Sequence, residues 1–131
     1  MTKKLLIIIF IITSFNTNLL SIEPDIFVQS TVNRASKILS EEISKNQKIE
    51  QLKLIAQDTV DIRGIGFYTL GSTRKNLDEN QKKEYQELFN KYFLKSFSSR
   101  LAEYTNPEIE VTGKEKLNEN YTIVNLSLIH I

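Results

Sequence analysis

The chain has 131 residues, with 17 basic and 16 acidic side chains and no cysteine. This near-neutral balance excludes the strongly basic surface by which a protein binds nucleic acid or anionic lipid through bulk electrostatics. The lack of cysteine excludes disulfides and thiolate metal ligands, so packing alone must stabilise the fold.

The N-terminus has the pattern of a secretory signal peptide. Lys3 and Lys4 form a basic segment, and an unbroken apolar run follows from Leu5 to Ile12. With its weaker extension this run covers roughly 16 Å as a helix, well short of a hydrocarbon core of about 30 Å. We therefore expect cleavage near Ser21, with an uncleaved anchor as the alternative.

The remaining residues, 22–131, are expected to form one domain. Without the signal peptide the chain keeps 15 basic and 16 acidic residues, so its net charge is near −1. Its last apolar, strand-like segment stops in mid-pattern, which would leave an open sheet edge. We therefore expect the chain to be a fragment that is incomplete at the C-terminus.

The first half of this domain predicts two amphipathic helices. One starts at Pro24 and Asp25, and the other starts at about Asn46. Apolar residues recur at helical spacing in both. In the first helix they are Val28, Val32, Ala35, Leu39 and Ile43, and in the second Ile49, Leu52, Ile55 and Ala56.

A third, short helix is predicted after Asp61, which can cap its N-terminus. Its interior contains Gly64 and Gly66, each of which costs roughly 1 kcal/mol relative to alanine. Gly71 suits the left-handed position that ends a helix. We expect a polar connector from Ser72 to Leu77.

A long aromatic helix follows. Asp78 and Gln81 form a capping box at its start, and Asn106-Pro107 stops it after about Tyr104. Its many aromatic and leucine side chains either fill a core or line a cavity for an apolar ligand, and the sequence leaves both interpretations open. These side chains are Tyr85, Leu88, Phe89, Tyr92, Phe93, Phe97, Leu101 and Tyr104.

Beyond this helix the apolar period changes to two, which is typical of strands. Ile109 and Val111 alternate with acidic residues, and a turn-rich connection runs from Gly113 to Asn120. A second alternating stretch then comprises Thr122, Val124, Leu126 and Leu128. The predicted fold class is α+β, with N-terminal helices packed on a curved antiparallel sheet that is truncated in this chain.

The sequence contains no recognisable catalytic constellation. His130 is the only histidine, and with no cysteine it does not make a metal site. Ser98 and Ser99 have no neighbouring histidine to activate them. Gly64 and Gly66 lack the third glycine and the preceding strand of a dinucleotide-binding loop. We expect no enzyme, no metal and no cofactor.

The spacing of several of these residues resembles the MlaC family of periplasmic phospholipid-binding proteins, also called toluene-tolerance proteins. The shared order is an acidic residue, a short helix ending in Leu-Gly, a Gln-Lys helix start, an aromatic series and a strand. The residues that carry it are Asp61, Leu70-Gly71, Gln81-Lys82, Phe89, Leu94, Tyr104 and Glu108–Val111.

The resemblance implies a monomeric periplasmic carrier that holds phospholipid acyl chains in a cleft between helices and sheet. Its partners would be an outer-membrane lipoprotein complex and an inner-membrane ABC transporter complex, and its role would be outer-membrane lipid asymmetry. Nucleic acid is not an expected partner. The residues we expect to line the lipid site are Val60, Ile65, Tyr68, Phe89, Phe93, Phe97, Val111 and Val124.

Three alternatives stay open from the sequence. The first is a carrier of another apolar ligand, such as a hopanoid precursor or an organic solvent. The second is a small pocket enzyme on a similar α+β scaffold, which requires a carboxylate or histidine with a perturbed pKa in the cavity. The third is a periplasmic adaptor that binds only proteins, and it predicts a filled core.

Overall fold

A computed structural model of the protein describes residues 21–129. The predicted signal peptide lies outside the described residues except for Ser21, and His130 lies outside them too. None of the helices in the described range has both the length and the apolar composition needed to cross a bilayer.

Residues 21–129 form four α-helices, one 3₁₀ helix and a two-stranded antiparallel sheet. This arrangement, with the helices before the sheet, confirms the predicted α+β class. In chain order the elements are α1 (Pro24–Ser40), α2 (Lys45–Thr59), α3 (Ile62–Leu70), the 3₁₀ helix (Gly71–Asn76), α4 (Glu79–Leu101), β1 (Glu108–Lys116) and β2 (Thr122–Ile129).

Local hydrogen bonds define the starts of three helices. Ser44 and Asp78 each form a capping box with the glutamine three residues later, at the starts of α2 and α4. The Asp61 carboxylate accepts a 2.9 Å hydrogen bond from the backbone N–H of Gly64 and so caps α3, as predicted. Gly71 ends α3 with a φ of +54°, the positive value that favours glycine.

Two helices are shorter than the sequence predicted. The backbone turns extended at Glu41, so α1 ends at Ser40 and Ile43 lies beyond it. The helix α4 ends at Leu101, three residues before Tyr104. An apolar period can continue past a helix end because the following loop also buries side chains, so periodicity alone misplaces such boundaries.

The two predicted connectors contain regular structure. Most of the polar connector between α3 and α4 is a 3₁₀ helix. In the sheet, Val111 lies opposite Leu126, and the register then shifts before Gly113, which marks a β-bulge. Pairing resumes after the bulge, so β1 continues to Lys116 through the first half of the segment we predicted to be turn-rich.

Side chains of α1 and β1 hold these two elements together. The Gln29 amide donates to the carbonyl of Ile109 at 3.4 Å and accepts from the N–H of Val111 at 2.9 Å. These two backbone groups thus gain a partner from the helix. At the far end of β1, the Lys114 ammonium forms ion pairs with two carboxylates at the start of α1, those of Glu23 and Asp25.

The most deeply buried apolar side chains come from the helices. A cluster of Ala56, Ile62 and Leu94 joins α2, α3 and α4. Leu39 and Leu52, each 1% exposed, are buried where α1 meets α2. The amphipathic stripes of α1 and α2 therefore face inward, as their spacing predicted.

Candidate functional site

An apolar cavity of about 260 Å³ lies between three helices and the sheet. It is bounded by α1, α2, α4, β1 and β2. Thirteen residues line it, and eleven of them are apolar while the other two are threonines. They are Thr31, Val32, Ala35, Leu39, Leu52, Ile55, Ala56, Thr59, Val60, Phe97, Leu101, Ile109 and Leu126.

The two threonine hydroxyls are bonded to their own helices. Thr31 Oγ1 donates to the carbonyl of Phe27 at 2.9 Å, and Thr59 Oγ1 donates to the carbonyl of Ile55 at 2.7 Å. Each hydroxyl proton is therefore already used. The wall presents hydrocarbon surface to a guest and no titratable side chain.

The cavity has a closed end and an open side. Leu39, Leu52 and Ala56 are each 1% exposed and form its floor. Phe97 and Leu126 are 39% and 50% exposed, which places them at the opening. An apolar chain could enter past these two side chains while a polar group attached to it stayed in water.

The structure places two of the eight predicted lining residues in this wall. They are Val60, which follows α2, and Phe97, on α4. Phe89 and Phe93 lie beside it, packed with Val60 against the cluster of Ala56, Ile62 and Leu94. These four predicted residues are therefore close to one another.

The other four predicted residues lie elsewhere on the molecule. Ile65 and Tyr68 are on the outer side of α3, where they are 39% and 85% exposed. Val111 and Val124 are half-buried in β1 and β2, outside the cavity lining. Lipid contact by any of the eight residues stays a prediction.

Four aromatic rings of α4 form a continuous stack, which we call the aromatic ladder: Tyr85, Phe89, Phe93 and Phe97. Successive ring centroids lie 5.9, 6.1 and 5.4 Å apart, with planes inclined by 23°, 29° and 13°. The strict spacing of four between these aromatics is visible in the sequence, although we did not use it to predict a stack. That spacing was the signal, because residues at i and i+4 are neighbours on a helix surface.

Most of the lining from α1 and α2 was not predicted as a binding site. Val32, Ala35 and Leu39 lie on the apolar stripe of α1, and Leu52 and Ile55 lie on that of α2. The stripes predicted buried faces. Whether two buried faces meet or leave a gap depends on the positions of the other elements, which periodicity does not give.

The charged groups with shifted pKa values lie outside the cavity. A hydrogen bond from the Lys114 ammonium lowers the pKa of Asp25 below its ordinary value of 3.8. The same hydrogen bond raises the pKa of Lys114 above its ordinary value of 10.5. Both side chains are partly exposed at the junction of α1 and β1, where their ion pair links the two elements.

Comparison with known proteins adds one finding. The protein-family model described as MlaC protein matches residues 29–130. The matched range contains every cavity-lining residue, from Thr31 to Leu126. No curated protein and no solved structure shows significant similarity to the chain.

Proposed function

Because this chain belongs to the MlaC family of periplasmic lipid-binding carriers, we propose that it carries phospholipid between the outer membrane and an inner-membrane ABC transporter. It does so as a monomer, and it receives or delivers lipid at an outer-membrane lipoprotein complex. This transport maintains the lipid asymmetry of the outer membrane. Family membership supports the partners, and the cavity supports the ligand.

The observation that carries the proposal is the apolar cavity of about 260 Å³. A methylene takes up about as much space as a water molecule, roughly 30 Å³, so the cavity holds about eight methylenes. Each buried methylene contributes about 0.8 kcal/mol, which gives about 6 kcal/mol in total. That corresponds to a dissociation constant of tens of micromolar before the ordering costs of binding.

The polarity of the wall suits a carrier. Since the lining contains no charged side chain, the lipid headgroup is left at the open side, near Phe97 and Leu126. A headgroup in water is accessible to an acceptor complex while its acyl chain stays sheltered. Affinity then comes from hydrocarbon burial, which is non-directional and permits transfer without breaking specific polar bonds.

The test is to identify the bound molecule. The full-length chain is expressed in a Gram-negative host, purified from the periplasm without detergent, extracted with organic solvent and analysed by mass spectrometry. We expect phospholipid at close to one molecule per chain. A terpenoid or an organic solvent in its place would favour a carrier of another apolar ligand, and a chain that carries no apolar molecule would contradict the proposal.

A transfer assay tests the shuttle itself. Lipid-loaded protein is mixed with acceptor vesicles of phosphatidylethanolamine and phosphatidylglycerol, separated by flotation, and the lipid in each fraction is measured. We expect lipid to move from the protein to the vesicles and, with labelled donor vesicles, in the reverse direction. Retention of all lipid on the protein in both experiments would contradict a shuttling role.

A further inference from the structure

Gln29 lies where α1 meets an edge of β1. In an antiparallel pair, alternate residues turn their backbone N–H and C=O groups away from the partner strand. On this edge, Gln29 Nε2 donates to the carbonyl of Ile109 at 3.4 Å, and Gln29 Oε1 accepts from the N–H of Val111 at 2.9 Å. One amide thus bonds the two backbone groups that a further strand would bond.

A third hydrogen bond fixes the orientation of this amide. Gln29 Nε2 also donates to Asn33 Oδ1, one turn further along α1, at 2.9 Å. Because the N–H of Val111 can only donate, Oε1 must face it, and the two Nε2 hydrogens are left for Ile109 and Asn33. The half-buried Gln29 side chain therefore has both its donors and its acceptor in use.

The two elements that Gln29 joins both supply the cavity wall. Ile109 lines it from β1, while Thr31 and Val32, two and three positions after Gln29, line it from α1. A hydrogen bond weakens outside a range on the order of a few tenths of an ångström, so the Gln29 amide restricts how far β1 can move from α1. We propose that Gln29 is a positioning residue that fixes this gap and thereby selects straight acyl chains over methyl-branched ones. This inference rests on the proposed function and adds a substrate preference to it.

A second polar link between α1 and β1 is less suited to this role. Lys114 pairs with Glu23 and Asp25 at 2.9 and 2.8 Å, but none of the three lines the cavity. Their side chains are partly exposed, and solvent and salt weaken an ion pair in such a place. This link tethers the start of α1, whereas Gln29 acts beside the wall itself.

A fixed gap distinguishes acyl chains by their thickness. A methyl branch adds a carbon to the side of the chain, and the wall must move outward to admit it. One carbon group more or less in a hydrophobic pocket changes relative binding by about 10- to 200-fold. Wild-type protein should therefore bind a straight-chain lipid about tenfold more tightly than a branched one.

The experiment compares two lipids with the same headgroup and the same main-chain length. Dipalmitoyl phosphatidylglycerol and the methyl-branched diphytanoyl phosphatidylglycerol are each titrated into the delipidated full-length protein, and binding is followed by native mass spectrometry. The test variant is Gln29→Met, which is similar in size and loses all three hydrogen bonds. The matched control is Gln57→Met, at an exposed position of α2 outside the cavity lining.

We expect Gln29→Met to reduce the preference for the straight chain from about tenfold to about threefold or less, because β1 can then move away from α1. Gln57→Met should keep the wild-type preference. Circular dichroism and thermal unfolding verify that each variant is folded at the titration temperature. A loss of stability alone would lower Tm without changing the ratio of the two affinities.

Gln29→Glu tests the hydrogen bonds by rescue. As a carboxylate at pH 7 this side chain accepts from the N–H of Val111 but has no hydrogen for the carbonyl of Ile109. Below about pH 4 the carboxyl group is protonated and again offers a donor and an acceptor. We expect the preference to be about threefold at pH 7 and to return to about tenfold in acid.

Each ratio is compared with that of wild type at the same pH, so that titration of other carboxylates affects both proteins alike. On and beside the two elements these carboxylates are Glu23, Asp25, Glu108, Glu110 and Glu115.

The outcomes separate this inference from the proposed function. A Gln29→Met variant that keeps the wild-type preference would overturn the inference, and so would a wild type without a preference. If Gln29→Met does not fold, Gln29→Glu decides, and an equal preference at both pH values would overturn the inference as well. Wild-type protein that binds neither lipid would refute the proposed function itself.

Discussion

A larger side chain on α1 that fills the cavity would distinguish an empty lipid site from a packed core. Ala35 lines the cavity and lies on the helix stripe that faces it. Ala35→Leu adds three carbon groups at this position, roughly 90 Å³ at about 30 Å³ each. This is about a third of the 260 Å³ cavity.

We expect Ala35→Leu to weaken lipid binding but not to destabilise the protein. Displacing about three methylenes of lipid removes about 2.4 kcal/mol of binding free energy, or about a fiftyfold loss of affinity. The free protein gains buried hydrocarbon in a space that was empty, so its free energy of unfolding should stay level or rise by about 1 kcal/mol. For a domain of this size such a rise increases Tm by about 4 °C.

The assay measures both quantities on the same samples. Thermal unfolding of delipidated protein is followed by circular dichroism at the helical minimum, and phospholipid affinity is measured by titration. The control is Ser30→Leu, which adds the same side chain to an exposed position of α1 outside the cavity. Its lipid affinity should stay within about twofold of the wild-type value, because the substitution lies outside the cavity. Its stability should also change little, since surface substitutions rarely change the free energy of unfolding by more than ~0.5 kcal/mol.

A loss of stability without a loss of lipid affinity would contradict this prediction. A core that is already filled, as in a purely protein-binding adaptor, would be overpacked by Ala35→Leu and destabilised by about 1–3 kcal/mol. If Tm falls accordingly while lipid affinity is unchanged, the space beside Ala35 is not the lipid site.

Two further predictions concern the scaffold around the site. A Cβ at Gly66 would lie 2.9 Å from Phe89 Cδ1, so Gly66→Ala should destabilise the protein by about 1–3 kcal/mol in urea unfolding; a loss below about 0.5 kcal/mol would show that α3 can shift freely. Since Lys114 lowers the pKa of Asp25, their pairing stabilises the fold above pH 3.8 and is lost as the pH falls through the lowered pKa. Lys114→Gln should therefore lower the urea midpoint at pH 7. The difference from the wild-type midpoint should become smaller below about pH 4, where Asp25 is protonated. The control, Lys116→Gln, should change the urea midpoint little at neutral or acidic pH. A deficit that is just as large in acid would contradict this.

The helix starts could be predicted because their determinants are local. Asp61 and Asp78 each bond a backbone N–H three residues ahead, so the cap and its partner lie in one short window of sequence. The predicted start of α2, at about Asn46, was one residue too late. The reason is that Ser44 and Gln47 were not recognised as a capping box. Each of these signals involves only neighbouring residues.

The strand boundary could not be predicted in this way. Gly113 and Lys114 have the composition of a turn, yet they pair with β2 beyond a bulge. Pairing of this kind depends on the partner strand and on the contact of β1 with α1 through Gln29, a residue about eighty positions earlier. Neither is visible in the local pattern.

Some residues of the candidate site could be predicted from the sequence and others could not. Val60 and Phe97 were predicted from an aromatic helix and a family resemblance, and both lie in the cavity wall. The contributions of α1 were missed because Ala35 and Leu39 look like ordinary core residues. A gap between packed surfaces belongs to no single segment of the chain.

Residue order and apolar period were enough to predict the α+β class, the N-terminal caps of α3 and α4, the inward faces of α1 and α2 and the resemblance to the MlaC family. These follow from short-range hydrogen bonds, from apolar period and from residue order. The packing of the elements was needed to show that the inward faces of α1, α2 and α4 stand apart over β1 and β2, and that four rings of α4 stack into one row. A cavity is the space left between elements, and the distances between elements are set by contacts between residues far apart in the chain.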